Sequence, residues 1–184
     1  LKSQVPVGGR GKAGAIKKCQ NMDEFERQFS VLQNKKIEGE FPRGLLLEEV
    51  INISKELYVS LFLNRSTRCF SLIVSAAGGM EIESAENRFI LDITSKYNIE
   101  EIASRIAGMA GIGSENRQRF VEFVKKLYGL LWEKEAELVE VNPAALLIDG
   151  SIVALDSKVI IDDNSLFRHP ELIKYEEATE LESL

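Results

Sequence analysis

A chain of 184 residues, 45% apolar and 28% charged, can bury a substantial core, and its length suits one domain or two small lobes. Its formal net charge of −6 excludes the basic footprint of a nucleic-acid binder or of a protein drawn to an anionic membrane. Cys19 and Cys69, without Cys-x-x-Cys spacing, read as reduced intracellular thiols buried for structural reasons; with no signal-peptide pattern and no apolar run of about eighteen residues, membrane insertion is not expected.

The first feature in chain order is the run Val7-Gly8-Gly9-Arg10-Gly11-Lys12-Ala13-Gly14, a few positions after Lys2. Glycines let backbone amides approach phosphate oxygens and take conformations that a Cβ forbids, while Arg and Lys neutralise charge. The spacing is neither that of a P-loop nor that of a Rossmann turn. A flexible surface turn with ordinary cations fits it too.

Asn21, with Glu24 three positions on, has the capping-box pattern and opens a helix to about Asn34. Arg43 to Glu49 reads as an apolar strand. Glu56 to Asn64 and Cys69 to Ala76 read as two more, joined by the turn Arg65-Ser66-Thr67-Arg68. Asn98 with Glu101 caps a helix to about Ala110, which Gly111 and Gly113 end. From Ser114 to about Lys134 a longer helix places Phe120, Phe123, Val124, Leu127, Leu130 and Leu131 at helical spacing, and these are core residues.

A hairpin follows, with apolar alternation from Leu138 to Ile148 and again from Ile152 to Ile160 around Asp149-Gly150. Loop length sets its chemistry. A two-residue loop pairs Ile148 with Ser151 and puts Asn142 opposite Ser157, so Asp156 points away. A three-residue loop, with Gly150 left-handed in a G1 bulge, pairs Leu147 with Ser151. Asn142 then lies opposite Asp156, and Glu140 opposite Lys158. The expectation is the three-residue loop. An amide oxygen beside a carboxylate, with positions open to water and phosphate, suits Mg²⁺. The same spacing also describes a solvated hairpin face with one cross-strand ion pair, a common arrangement. After the hairpin come a loop and a last helix from Pro170, which fits a first helical turn. The acidic end, Glu176, Glu177, Glu180 and Glu182, reads as a solvated helix face or a fraying end.

Together these segments resemble the β subunit of succinyl-CoA synthetase (succinate–CoA ligase, ADP- or GDP-forming), in the ATP-grasp superfamily. The resemblance rests on Lys2 with Gly8-Gly9-Arg10-Gly11-Lys12-Ala13-Gly14, Glu48 with Ser54-Lys55-Glu56-Leu57-Tyr58, and Gly78-Gly79-Met80-Glu81-Ile82-Glu83. It continues through Glu140-Val141-Asn142-Pro143 and Leu155-Asp156-Ser157-Lys158 to Asp163-Asn164-Ser165-Leu166-Phe167-Arg168-His169-Pro170. Six matches in order span nearly the whole chain.

The resemblance implies an α+β ATP-grasp fold of two lobes with the nucleotide between them. Residues 1–49 would be part of a small lobe, incomplete at its N-terminal side, and residues 50–184 the large lobe. A C-terminal CoA-ligase domain would be absent. Lys2, Gly9, Arg10 and Gly11 would contact nucleotide phosphates, as the locally basic group that an acidic chain needs. Glu48 and Ile51 would meet the base at the hinge, and Glu56 would accept from ribose hydroxyls. Asn142 and Asp156 would bind Mg²⁺, and Glu140 would receive the phosphorylated histidine of the α subunit. The implied reaction takes ATP or GTP and phosphorylates that histidine, which passes phosphate to succinate in the tricarboxylic acid cycle. It runs in an α/β heterodimer or heterotetramer, in the cytoplasm or, in a eukaryote, the mitochondrial matrix. His169, the sole histidine here, lies in a loop motif and is expected to order that loop. Related readings are the ATP-grasp domain of malate–CoA ligase or ATP citrate lyase, and a nucleotide-binding module without catalysis.

Overall fold

A computed structural model of the chain describes residues 1–6, 9–78, 88–94 and 98–175. The chain divides into two compact units, one spanning Leu1–Asn52 and the other beginning at Ile53. Gly8, and Gly79 to Glu83 of the motif that opens at Gly78, lie outside the described residues, as does the acidic end from Glu176.

The smaller unit pairs β1 (Lys2–Gln4) antiparallel with β2 (Gly44–Leu46), Lys2 opposite Leu46. The apolar segment expected as a strand from Arg43 to Glu49 is thus only three residues long as a strand. β1 offers only three residues to pair with, and Leu46 and Leu47 stay exposed. Helix α1 (Met22–Gln33) starts where Asn21 accepts from the Glu24 amide at 2.9 Å. The reciprocal bond runs from the Gln20 amide to Glu24, at 2.8 Å. Leu32, Ile37 and Ala15 form its buried apolar centre.

The larger unit is an antiparallel sheet covered on one face by helices. Its strands are β3 (Ile53–Asn64), β4 (Cys69–Ser75), β5 (Arg88–Ile93), β6 (Ala136–Leu147), β7 (Ile152–Ala154) and β8 (Ser157–Ile161). The order is β5-β4-β3-β6, with β7 and β8 both along the outer side of β6. Strand β5 was not expected from sequence. Phe89, Leu91 and Ile93 pack on the core as alternation requires, but Ile90 faces outward, 54% exposed, and blurs the pattern. Helix α2 (Ile99–Met109) has the full capping box at Asn98 and Glu101, and α3 (Ser114–Glu133) follows.

Leu57, Val59 and Leu61 of β3, Leu72 and Val74 of β4, and Val139 and Val141 of β6 point to those helices and meet Ile102, Ile106, Phe120 and Val124. The β6 alternation then slips. Ala144 and Leu146 are core residues although Val139 and Val141 are, because Asn142 and Pro143 together oppose one residue of β3. Pro143 has no N–H to give a ladder, so a bulge is where it fits. After β8 the chain forms two short 3₁₀ turns, Asp163–Arg168 and Pro170–Tyr175, in place of the loop and final helix expected from sequence. The bonds there run over three residues, from the Ser165 amide to Asp162 and from the Leu172 amide to His169. Such short segments form too few bonds to nucleate an α-helix. Among the described residues no helix is long and apolar enough to cross a membrane.

Candidate functional site

The hairpin has the three-residue loop. The Leu147 amide donates to Ser151 at 2.8 Å and the Gly150 amide to Leu147 at 3.0 Å, with Gly150 at φ +80°. A side chain at Gly150 would be strained and would also meet the Arg119 guanidinium, which donates to the Asp149 carbonyl. Asp149 accepts from both the Ser151 amide and the Ser151 hydroxyl, which hold its carboxyl below the usual carboxylate range.

From that loop one register holds as far as the pair of Leu138 with Ile160. Leu146 pairs with Ile152, Ala144 with Ala154, Val141 with Ser157 and Glu140 with Lys158. The Asn142 amide donates to the Asp156 carbonyl at 3.0 Å, so these two residues stand opposite each other. Asn142 follows Val141, whose side chain is in the core, and so shares the face of Glu140, away from α2 and α3, with Asp156 opposite it between β7 and β8. Asp156 is exposed and Asn142 half-buried. An amide oxygen and a carboxylate on facing residues are donors of the kind a hard cation takes, two of the about six positions that Mg²⁺ fills.

Register brings three more groups to the same face. Glu56, Tyr58 and Ser60 alternate on β3 with the core residues Leu57, Val59 and Leu61, and Ser60 pairs with Glu140. The Tyr58 hydroxyl donates to Glu140 Oε2 at 2.7 Å. Burial first, then this bond, pushes the Tyr58 phenol up to about 12, against a lowering contribution from the Ser60 hydroxyl and Arg88. Lys158, the register partner of Glu140, makes no ion pair with it within the described residues; the carboxylate is held by the phenol instead. Glu56 is exposed, opposite Ala145, and no ion pair with Lys55 or Arg68 is seen among the described residues. Lys55 reaches the other way, to the Ala110 carbonyl that ends α2. Gly78 passes so close to β3 that a Cβ would sit 2.7 Å from the Leu57 carbonyl oxygen. Its motif begins with glycine for that reason.

In the smaller unit, Gly9 to Ala15 close on themselves. The Ala13 amide bonds Gly9, the Gly14 amide bonds Gly11 and the Ala15 amide bonds Arg10, at 2.9 to 3.0 Å. Gly9 and Gly14 take φ of +70° and +65°, which explains both glycines. Lys35 donates to the Ala13 carbonyl at 2.6 Å and secures the loop from α1's far end. Gly9 and Gly11 are exposed and Arg10 half-buried. Lys2 Nζ lies 2.5 Å from Glu48 Oε2, so two residues expected at the nucleotide form an ion pair. Ile51 is half-buried in the segment that ends this unit.

His169 belongs to a different cluster. Glu135, itself at φ +50°, accepts two bonds from Arg168, at 2.8 and 2.7 Å, and lies 3.1 Å from His169 Nε2. Arg168 holds the Glu135 carboxyl below its ordinary range, with His169 adding to the effect. Lys134 pairs with Glu171 at 2.8 Å. The group ties the 3₁₀ turns to the start of β6. A loop-ordering role for His169 agrees with this geometry.

Sequence reasoning did not single out Tyr58 as a partner of Glu140. Its contact depends on the β3–β6 pairing, across 82 positions of sequence.

Residues 1–146 match a family model described as an ATP-grasp domain. The chain is 40% identical over 179 residues to a protein named succinate–CoA ligase [ADP-forming] subunit beta from Desulfurococcus amylolyticus, covering 94% of this chain and 47% of the relative. With the protein of the same name from Bacteroides fragilis it is 37% identical over 190 residues, covering 100% and 50%. The chain thus spans about half the length of the curated relatives it matches. Among solved structures, ATP citrate lyase from Methanothrix soehngenii aligns with TM-score 0.70 at 17% identity, over 97% of this chain and 42% of that one. That likeness is one of fold.

Proposed function

The chain belongs to the ATP-grasp domain family, and from that premise we propose that it is the nucleotide-binding portion of a succinate–CoA ligase β subunit. In this reading it binds Mg²⁺ with ATP or GTP and passes phosphate to a histidine of a partner α subunit, during reversible formation of succinyl-CoA from succinate and CoA. Two relatives of that name at 40% and 37% identity support the choice of ligase. The hairpin register carries the mechanism, because Asn142 faces Asp156 with Glu140 one pair away on the same face.

Mg²⁺ fits the donor set of Asn142 and Asp156, since this cation takes one or two protein oxygens and keeps its remaining positions for water and nucleotide phosphate. When bound it supplies neutralisation of phosphate charge. The chain's own groups do the rest. Lys2, Arg10 and the amides around Gly9 and Gly11 contact phosphate oxygens and stabilise the charge that spreads over them during transfer. The Glu48 and Ile51 backbone meets the base, and Glu56 accepts from ribose hydroxyls. Glu140 accepts from the incoming imidazole and holds its ring for attack on the terminal phosphorus. Lys2 has three N–H donors, so it can bond phosphate while Glu48 holds one of them.

The full-length protein, assembled with its α subunit and given Mg²⁺ and γ-labelled ATP or GTP, tests this reading. Label should appear on a histidine of the partner and be discharged by succinate with CoA, in preference to malate or citrate. Discharge only by another acid would move the chain to a related acyl-CoA ligase. Nucleotide binding without any label transfer would leave a binding module.

A further inference from the structure

Glu140 stands on β6 as a carboxylate with two oxygens, and its task in the reading above uses one of them. The other is occupied. Tyr58 donates its only proton to Oε2 at 2.7 Å. The phenol itself is fixed from several sides. Its backbone lies between Leu57 and Val59, both fully buried, and its neighbour Ser60 is 1% exposed and in register with Glu140. Across the sheet Tyr58 pairs with Ser75 of β4, which pairs with Arg88 of β5. The β6 bulge at Asn142-Pro143 lies directly opposite Tyr58, between the pairs Leu57 with Ala144 and Val59 with Val141. The tyrosine therefore touches the carboxylate that receives the histidine and faces the backbone kink that presents the metal-binding amide.

We propose that Tyr58 is a positioning residue for phosphoryl transfer: its hydroxyl fixes the rotamer of Glu140, so that Oε1 is aimed at the incoming imidazole N–H. This rests on the assignment of Glu140 made above. A glutamate side chain has three rotatable bonds, and holding it in one geometry removes rotamer freedom that the transition state would otherwise have to restrict. A bond from a neutral donor to a charged acceptor is of the stronger kind, and the half-buried site keeps water from replacing it. Burial and the bond to Glu140 together keep the phenol protonated across the neutral range, so the donor is always present. Lys158, although opposite Glu140 in the ladder, does not perform this role, since it makes no ion pair with the carboxylate among the described residues.

The full-length protein with its partner subunit is assayed as wild type, Tyr58→Phe, Glu140→Gln and the double variant, with histidine phosphorylation followed in single turnover. Tyr58→Phe keeps the ring and loses the hydroxyl, so folding is preserved. It should slow transfer about ten-fold while the nucleotide concentration at half-saturation stays at its wild-type value. In the Glu140→Gln background the same substitution should add almost nothing. Wild-type transfer by Tyr58→Phe, with Glu140→Gln impaired, would dismiss Tyr58 alone. A ten-fold loss that persists in the Glu140→Gln background would show that the hydroxyl acts elsewhere and overturn the proposal. Wild-type transfer by Glu140→Gln would remove Glu140 from the reaction, and the role of Tyr58 would fall with it.

Discussion

The hairpin of β6 to β8 and the glycine-rich loop both offer groups to one nucleotide in the proposed function, yet they are built on opposite principles. Glu140 and Asn142 sit on β6, which has β3 on one side and the outer arm of the hairpin on the other, and Asp156 stands opposite Asn142 between β7 and β8, so the ladder fixes their register. Gly9, Arg10 and Gly11 sit in a turn held by three local amide bonds and one lysine, beside a sheet of two three-residue strands. Groups that place a metal and a reacting histidine need to be set within fractions of an ångström, which a ladder supplies. Groups that gather around three phosphates work through many amides and a diffuse charge, and a turn suffices.

The sharpest way to break that contrast is Asp156→Ala. Transfer of phosphate to the partner histidine should fall on the order of a thousand-fold with Mg²⁺ as the sole metal. Thermal stability should hold, because Asp156 is exposed at a break in the outer arm of the hairpin. Full activity in that variant would show that the ladder does not place a metal ligand there.

Removing the support beneath the ladder is the next largest change. Phe120 is fully buried against the helix-facing side of the sheet, and Phe120→Ala should cost about 3–5 kcal/mol in urea denaturation. Arg10→Ala in the loop should weaken nucleotide binding about ten-fold by calorimetry, with the urea midpoint unmoved. An unfolding shift of the size seen for Phe120→Ala would make the loop a structural element and erase the distinction.

The smallest effect concerns the surface cluster at Glu135. Its carboxyl is held below the ordinary range by Arg168, so the stabilisation is complete above the ordinary glutamate pKa and lost as pH falls through the depressed folded value. Wild type should therefore exceed Glu135→Gln in denaturation midpoint at pH 7, and the gap should close in acid. A gap that widens on acidification would reverse the sign of that linkage.

How much of this was legible in the sequence follows from the range of each signal. Asn21 and Asn98 announced their helices because a cap is settled within four residues. Gly150 announced the three-residue loop, and period-two alternation carried its register outward to Asn142 and Asp156, since each ladder pair dictates the next. The match of these motifs to ATP-grasp proteins added what spacing could not, the kind of ligand they serve. Where a neighbour distant in sequence decides, the reading stopped. The three-residue length of β2 is set by β1, and the outward Ile90 disguised β5.

The chain's own order of residues thus determined the caps, the α3 core stripe and the hairpin's pairing, all of which are fixed by interactions a few positions apart or propagated through one turn. Only the tertiary structure decided that Tyr58 meets Glu140 and that Gly78 presses on Leu57. Those contacts depend on which strands lie side by side, and that choice is made by burying a common core, to which every strand contributes at once.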